Sequence, residues 1–271
     1  MDKTREATVA GQFYPSSESQ LKRQIASFLS EEKQKLEVLG CMLPHAGYVY
    51  SGRVACQTLN AVKIRQKIVL LGPNHTGLGK AFSIMTEGVW QTPLGGVKID
   101  AGLARLILGH SKLLQEDSLA HIQEHSLEVE LPILQYFNSG IEIVPIAFLS
   151  DDIGKLKQAG GDLAAAIKES GKRDAIMLVA SSDMTHYEPQ AVAEKKDAVA
   201  IAAILELNED KLMQEIARFN ITMCGYAPVV VMLAASKILG ATSARLIKYE
   251  TSAVASGDAT SVVGYAGVVI Y

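Results

Sequence analysis

Three short apolar runs in this chain each stop at a polar loop that carries a histidine, and this repeated grammar limits the folds open to it. Ile68-Val69-Leu70-Leu71 runs into Gly72-Pro73-Asn74-His75. Val38 to Leu43 runs into Pro44-His45, and Ala175 to Ala180 runs into Ser181-Ser182-Asp183-Met184-Thr185-His186. An apolar, β-branched run without polar alternation is the pattern of a strand buried on both faces, as in a parallel sheet covered by helices. Ligands of such sheets bind beyond the carboxyl ends of the strands, so three histidines placed there predict one shared site.

Between these strands the periodicity becomes helical. Ser51 to Val62 gathers Val54, Ala55, Thr58, Leu59 and Val62 on one face, and Ser17 with Gln20 stands at capping-box spacing before Leu21, Ile25, Phe28 and Leu29. Asp100 to His110, Asp151 to Ser170, Val192 to Leu207, Asp210 to Phe219 and Ala227 to Leu239 read as helices, with Gly160-Gly161 a weak point in the second of these. Ser118 to Phe137 fits alternation and helix alike, and Pro132 suits a first helical turn. Ala81 to Met85 and Trp90 to Ile99 are extended, as are Ala244 to Glu250 and Val262 to Tyr271. Pro145 places the strand Ile141 to Leu149 near an edge or a bulge. The expected architecture is a single-domain α/β sandwich over residues 1–271 with a central mixed, partly parallel sheet.

Composition narrows the function classes. The 26 basic and 29 acidic residues are spread along the chain, without the basic blocks that nucleic acid or an anionic membrane would favour. No apolar run approaches the roughly 20 residues that span a bilayer, and Met1 to Glu6 is charged where a signal peptide needs an apolar core, so a cytoplasmic protein is expected. Cys41, Cys56 and Cys224 have no paired spacing and read as free thiols. Cys41 in its strand and Cys56 on its helix are expected to be buried and inert. Cys224 directly precedes the helix whose first turn Pro228 marks, a position that favours thiolate, and with it metal binding or nucleophilicity.

Asn74 beside His75, Asp183 before His186 and Glu188 after it are candidate acceptors for orienting metal-bound imidazoles. His121-Ile122-Gln123-Glu124-His125 matches the H-x-x-E-H pattern of inverted zinc peptidases, which needs both imidazoles on one continuous helix. Alternation resuming at Leu127 and Pro132 soon after argue against that helix, while Glu124, His125 and Glu128 are still placed to line the strand-end pocket. Asn74 to Ala81 lacks the first glycine and the final Ser/Thr of a phosphate-binding loop, and Ser181 to His186 lacks the G-x-S-x-G elbow of a serine hydrolase.

These residues resemble a known family. Pro44-His45-Ala46-Gly47-Tyr48-Val49-Tyr50-Ser51-Gly52, Gly72-Pro73-Asn74-His75, Glu124-His125-Ser126-Leu127-Glu128, Ser182-Asp183-Met184-Thr185-His186-Tyr187 and Cys224-Gly225-Tyr226 look like the Memo family. The match begins at Ala10-Gly11-Gln12-Phe13-Tyr14-Pro15 and continues to Val263-Gly264-Tyr265-Ala266-Gly267. Prokaryotic members are called AmmeMemoRadiSam system protein B, and animal members are described as metal-binding redox proteins and phosphotyrosine-peptide adaptors.

The resemblance implies a fold like the class III extradiol dioxygenases and a metal held by His45, His75 and Cys224. His186 would then stand where those enzymes keep an acid/base histidine, with Asp183 and His125 as further catalytic candidates. A thiolate replacing the carboxylate of the oxygen-activating triad leaves iron, copper and zinc all compatible, with iron the leading expectation. A metal-dependent redox or dioxygenase-like enzyme and a non-catalytic peptide- or protein-binding module that reuses the pocket are the two functional expectations. The family's system name implies a radical-SAM enzyme and an AMMECR1-like protein as partners.

Overall fold

The structure is a computed structural model that describes residues 4–29 and 35–271, and the charged opening Met1 to Lys3 lies outside them. The strands in chain order are β1 (Thr4–Arg5), β2 (Gly40–Leu43), β3 (Lys67–Pro73), β4 (Phe82–Ile84), β5 (Val89–Thr92), β6 (Gly95–Ile99), β7 (Gln115–Glu116), β8 (Glu142–Phe148), β9 (Ile176–Ser181), β10 (His186–Glu188), β11 (Ala244–Thr251) and β12 (Val262–Ile270). The helices are α1 (Glu18–Phe28), α2 (Gly52–Asn60), α3 (Ala101–His110), α4 (Leu119–Ile122), α5 (Glu130–Phe137), α6 (Ile153–Glu169), α7 (Gln190–Leu205), α8 (Glu209–Phe219), α9 (Tyr226–Ile238) and α10 (Ala253–Ser256).

These strands form one mixed sheet in the order β1-β5-β6-β8-β3-β9-β2-β12-β10, with β11 joined to β12, β4 to β8 and β7 to β4. Its centre, β6-β8-β3-β9-β2, is parallel throughout, and β12 runs antiparallel to β2. Every residue of β2 and β9 is buried, as is β3 from Ile68 onward, so the unbroken apolar runs do mark strands covered on both faces. One covering layer sets α9 on β3, β9 and β2 with α6 against it; α2 packs on β2 and β12 with α1 and α5 beside it.

Gly160-Gly161 does not weaken α6, which runs unbroken from Ile153 to Glu169. A Cβ on Gly160 would lie 2.7 Å from both Ala234 Cβ and the Val231 carbonyl of α9, so the glycine permits helix contact instead of ending a helix.

Pro145 is not at a sheet edge. β8 is interior, flanked by β3 on one side, and on the other by β6 opposite Glu142 and Ile143 and then by β4 opposite Ile146 to Phe148. Pro145 falls where that outer partner changes, so its missing N–H interrupts neither ladder, and its carbonyl accepts from Met85 N at 3.3 Å. The ambiguous stretch from Ser118 resolves into the short α4, a turn, and α5 with Pro132 in its first turn. Ser17 is the N-cap of α1, but its side chain makes no cap hydrogen bond, so the predicted capping box is not formed. Among the described residues no helix is long and apolar enough to cross a membrane.

Candidate metal centre

Because β9 lies between β3 and β2, the three histidine-bearing strands open onto one patch. The fourth contributor comes from elsewhere: His125 arrives on the turn between α4 and α5. The rings of His45 and His75 are 5.2 Å apart between centroids, His45 and His125 5.4 Å, and His75 and His125 stack at 4.8 Å. One ligand nitrogen from each of His45, His75 and His125 falls within 4.8 Å of the others. His186 stands outside this trio, at the start of β10, with its Nδ1 donating to the Thr222 carbonyl at 2.9 Å. Cys224 touches the group through Sγ, 3.3 Å from His45 Nε2. Phe13, from the Ala10 to Pro15 loop, packs its ring 4.8 Å from that of His125.

Each imidazole is aimed by a partner far away in sequence. His75 Nδ1 lies 2.9 Å from Glu124 Oε1, while the His75 backbone N–H donates to the other oxygen at 2.5 Å. This leaves Nε2 of His75 as the ring nitrogen free to face the cluster, the carboxylate-imidazole arrangement of metal sites. His45 Nδ1 lies 2.8 Å from the Ser181 hydroxyl, the last residue of β9. The neighbours expected from sequence spacing do other work. Asn74 Oδ1 accepts from Thr76 and Gly77 and shapes the loop, Glu188 pairs with Lys196, and Asp183 accepts from the backbone N–H of His45. A side chain bonds a nearby backbone more easily than a ring only one to three residues away, so Glu124, 49 residues from His75, has the better approach.

The zinc-peptidase arrangement is ruled out by α4, which ends at Ile122 before the second histidine. His121 is fully buried and bonds Ser83 at 3.0 Å, away from the trio. Glu128 does not line the pocket either. It is fully buried, pairs with Arg5 at 2.7 Å, and accepts from the N–H groups of Thr8 and Val9 and, at 2.6 Å, from the Tyr14 hydroxyl. Arg5 lies 4.2 Å over the Trp90 ring and donates to the carbonyls of His121 and Glu124 at 2.7 Å each. The N-terminal segment thus clamps the loop that delivers Glu124 and His125.

Burial and neighbouring charge set the protonation of the site. Burial, reinforced by the other histidines, drives His45 well below the usual imidazole range, and burial lowers His125 as well, so both are neutral and able to offer a lone pair. Burial opposes ionisation of Glu124, but hydrogen bonds from His75 and Ser126 prevail and hold its pKa at about 2. Burial pushes Asp183 up to about 6. Cys224 departs from the sequence expectation: burial and the Asp183 charge push its thiol up, outweighing its place before α9. Cys41 and Cys56 are buried free thiols, as expected.

Two glycines permit the close approaches. A Cβ on Gly72 would lie 2.6 Å from Leu127, whose turn packs on the end of β3. A Cβ on Gly225 would lie 2.2 Å from the Ser181 carbonyl and 2.5 Å from Ser182 Cβ, so glycine lets Cys224 reach the end of β9. Gly225→Ala is expected to cost about 1–3 kcal/mol through overpacking. Urea unfolding measures this, and an unchanged midpoint would mean that the turn has room to move.

Histidines gathered at the carboxyl ends of parallel strands, with outer nitrogens tied to a carboxylate and a hydroxyl, define an α/β protein with a potential metal-binding cluster. A family model described as Memo-like protein matches residues 5–269. A MEMO1 family protein of Methanocaldococcus jannaschii is 40% identical over 289 residues, covering 100% of each chain. One of Methanosarcina mazei is 42% identical over 271 residues, covering 98% of each, and one of Aquifex aeolicus is 40% identical over 269 residues, covering 98% of this chain and 99% of that one. The chain belongs to the Memo family. Its fold is also similar to the crystal structure of an uncharacterized protein from Escherichia coli K12, with a TM-score of 0.57 at 15% identity over 85% of this chain and 98% of that one.

Proposed function

We propose that this Memo-family chain is a metal-dependent redox protein whose metal is held by His45, His75 and Cys224. The observation that carries this reading is the convergence of His45, His75 and His125, with Nδ1 of His45 and of His75 already engaged by a hydroxyl and a carboxylate, beside a thiol 3.3 Å from His45 Nε2. The residues fit a soft or borderline transition metal, with iron the leading choice and copper or zinc the alternatives. Bound iron or copper would supply one-electron chemistry there, and zinc Lewis acidity.

The chain's own residues would orient substrate and handle protons. His186, whose Nδ1–H is committed to Thr222, keeps Nε2 for proton exchange. Asp183 positions His45 through its backbone N–H and lends negative charge beside His186. His125, stacked on His75 and walled by Phe13, is the second group for holding a substrate proton.

The test is elemental analysis of protein purified without added metal, followed by oxygen consumption with catechol and thiol substrates. Stoichiometric iron or copper and substrate-dependent oxygen uptake are expected. Protein that neither retains nor takes up iron, copper or zinc would end this reading.

A second reading, a peptide- or protein-binding module reusing the pocket, is favoured by the exposure of Val49, at 65% in the turn after His45, and of Tyr187, at 78% in β10 beside His186. Its partners would include a radical-SAM enzyme and an AMMECR1-like protein. Their co-purification with a chain that shows no turnover would support it.

A further inference from the structure

Behind His45, on the side away from the cluster, lies a carboxyl group that the proposed chemistry does not use. Glu130 opens α5, is fully buried, and places Oε1 2.9 Å from the Ser181 hydroxyl. Ser181 in turn lies 2.8 Å from His45 Nδ1 and 2.9 Å from the Ser126 carbonyl. We propose that Glu130 is a positioning residue that acts as a hydrogen-bond donor to Ser181, fixing His45 in the tautomer that presents Nε2 to the metal cluster. The inference rests on the metal reading for its purpose, but not for its geometry.

Protons are limiting at this hydroxyl. A serine hydroxyl has one proton to give and two lone pairs to receive. The Ser126 carbonyl can only accept, so when the Ser181 proton is directed to it, both remaining partners must donate. His45 then carries its proton on Nδ1, and Glu130 carries one on Oε1. An ionised Glu130 would instead take the serine proton and compete with the Ser126 carbonyl for it.

The surroundings of Glu130 favour the neutral acid. Among the described residues its Oε2 has no hydrogen-bond partner, and the charge that acts on it is the negative one of Asp183, so a carboxylate there would be a buried charge with one oxygen bare. Burial, with the nearby Asp183 charge, raises it well above the usual carboxylate range despite the hydrogen bond to Ser181. A neutral acid in this place steers the ring without adding negative charge, unlike Glu124 behind His75. The two imidazoles would thus be held by partners of different charge.

The test begins with metal-free full-length protein labelled with ¹⁵N-histidine and ¹³C-glutamate. At neutral pH, His45 is expected as the Nδ1–H tautomer, with a Glu130 carboxyl carbon at the shift of a protonated acid. Glu130→Gln, which keeps a donor at this site and removes no charge from a neutral acid, is expected to preserve both the tautomer and zinc affinity. Ser181→Ala is expected to mix the tautomers and weaken zinc binding by about 10–100-fold, the usual cost of losing an outer hydrogen-bond partner.

An ionised Glu130 in the unsubstituted protein would overturn the proposal. So would a Glu130→Gln variant that loses the tautomer or binds zinc as poorly as Ser181→Ala. If the NMR pattern appears but no metal binds, positioning stands and the metal reading fails.

Discussion

Glu128→Ala is expected to lower the free energy of unfolding by about 3–5 kcal/mol, because it leaves the Arg5 guanidinium buried without its counter-charge. The side chains of Arg5 and Glu128 are 3% and 0% exposed, so little solvent screening weakens their contact. The loss extends beyond the pair, since the N–H groups of Thr8 and Val9 and the Tyr14 hydroxyl share the same carboxylate. In a chain of this size the change is on the order of 10 °C in Tm. Thermal and urea unfolding measure it, and a loss below about 1 kcal/mol would put the pair in the class of exposed ion pairs. The variant is also expected to weaken metal binding, because Arg5 holds the backbone of the loop that carries Glu124 and His125. Stability lost with metal affinity intact would separate the clamp from the site.

His75→Ala is expected to abolish stoichiometric metal, an effect larger than the roughly 10–100-fold that follows loss of an outer partner. It removes an imidazole and also leaves Glu124 buried without the ring that keeps it ionised. Calorimetry with zinc and elemental analysis of iron read the result. The companion variants decide how the ligand set is completed. With His45, His75 and Cys224 as ligands, Cys224→Ser loses metal and His125→Ala retains it. The reverse result would assign the site to the three imidazoles whose nitrogens lie within 4.8 Å of one another. Metal bound equally by all of these variants would remove the site from consideration.

Much of the scaffold was legible in the chain. The runs before His45, His75 and Asp183 read as doubly buried strands, because strands covered by helices on both faces need apolar residues at every position. Pro145 misled, because a proline's missing N–H says that a ladder is absent on one side but not that solvent takes its place. Gly160-Gly161 misled in a similar way: helix propensity counts a glycine as a cost, while packing against Ala234 requires one. The partners of the imidazoles were beyond local reading. Glu124 meets His75 across 49 residues, and Ser181 meets His45 across 136, so the spacing of neighbours such as Asn74 carried no information about either contact.

By itself the sequence determined that His45, His75 and the loop with Asp183 and His186 would stand at the carboxyl ends of buried strands, since burial pattern and turn residues are local properties. Tertiary structure alone decided which groups meet there. Sheet order put β9 between β2 and β3, the Arg5–Glu128 clamp brought His125 to the cluster, and Gly225 let Cys224 approach His45. It also set the charge of the groups: a thiol before a helix reads as activated until burial and a neighbouring carboxylate are known to oppose it.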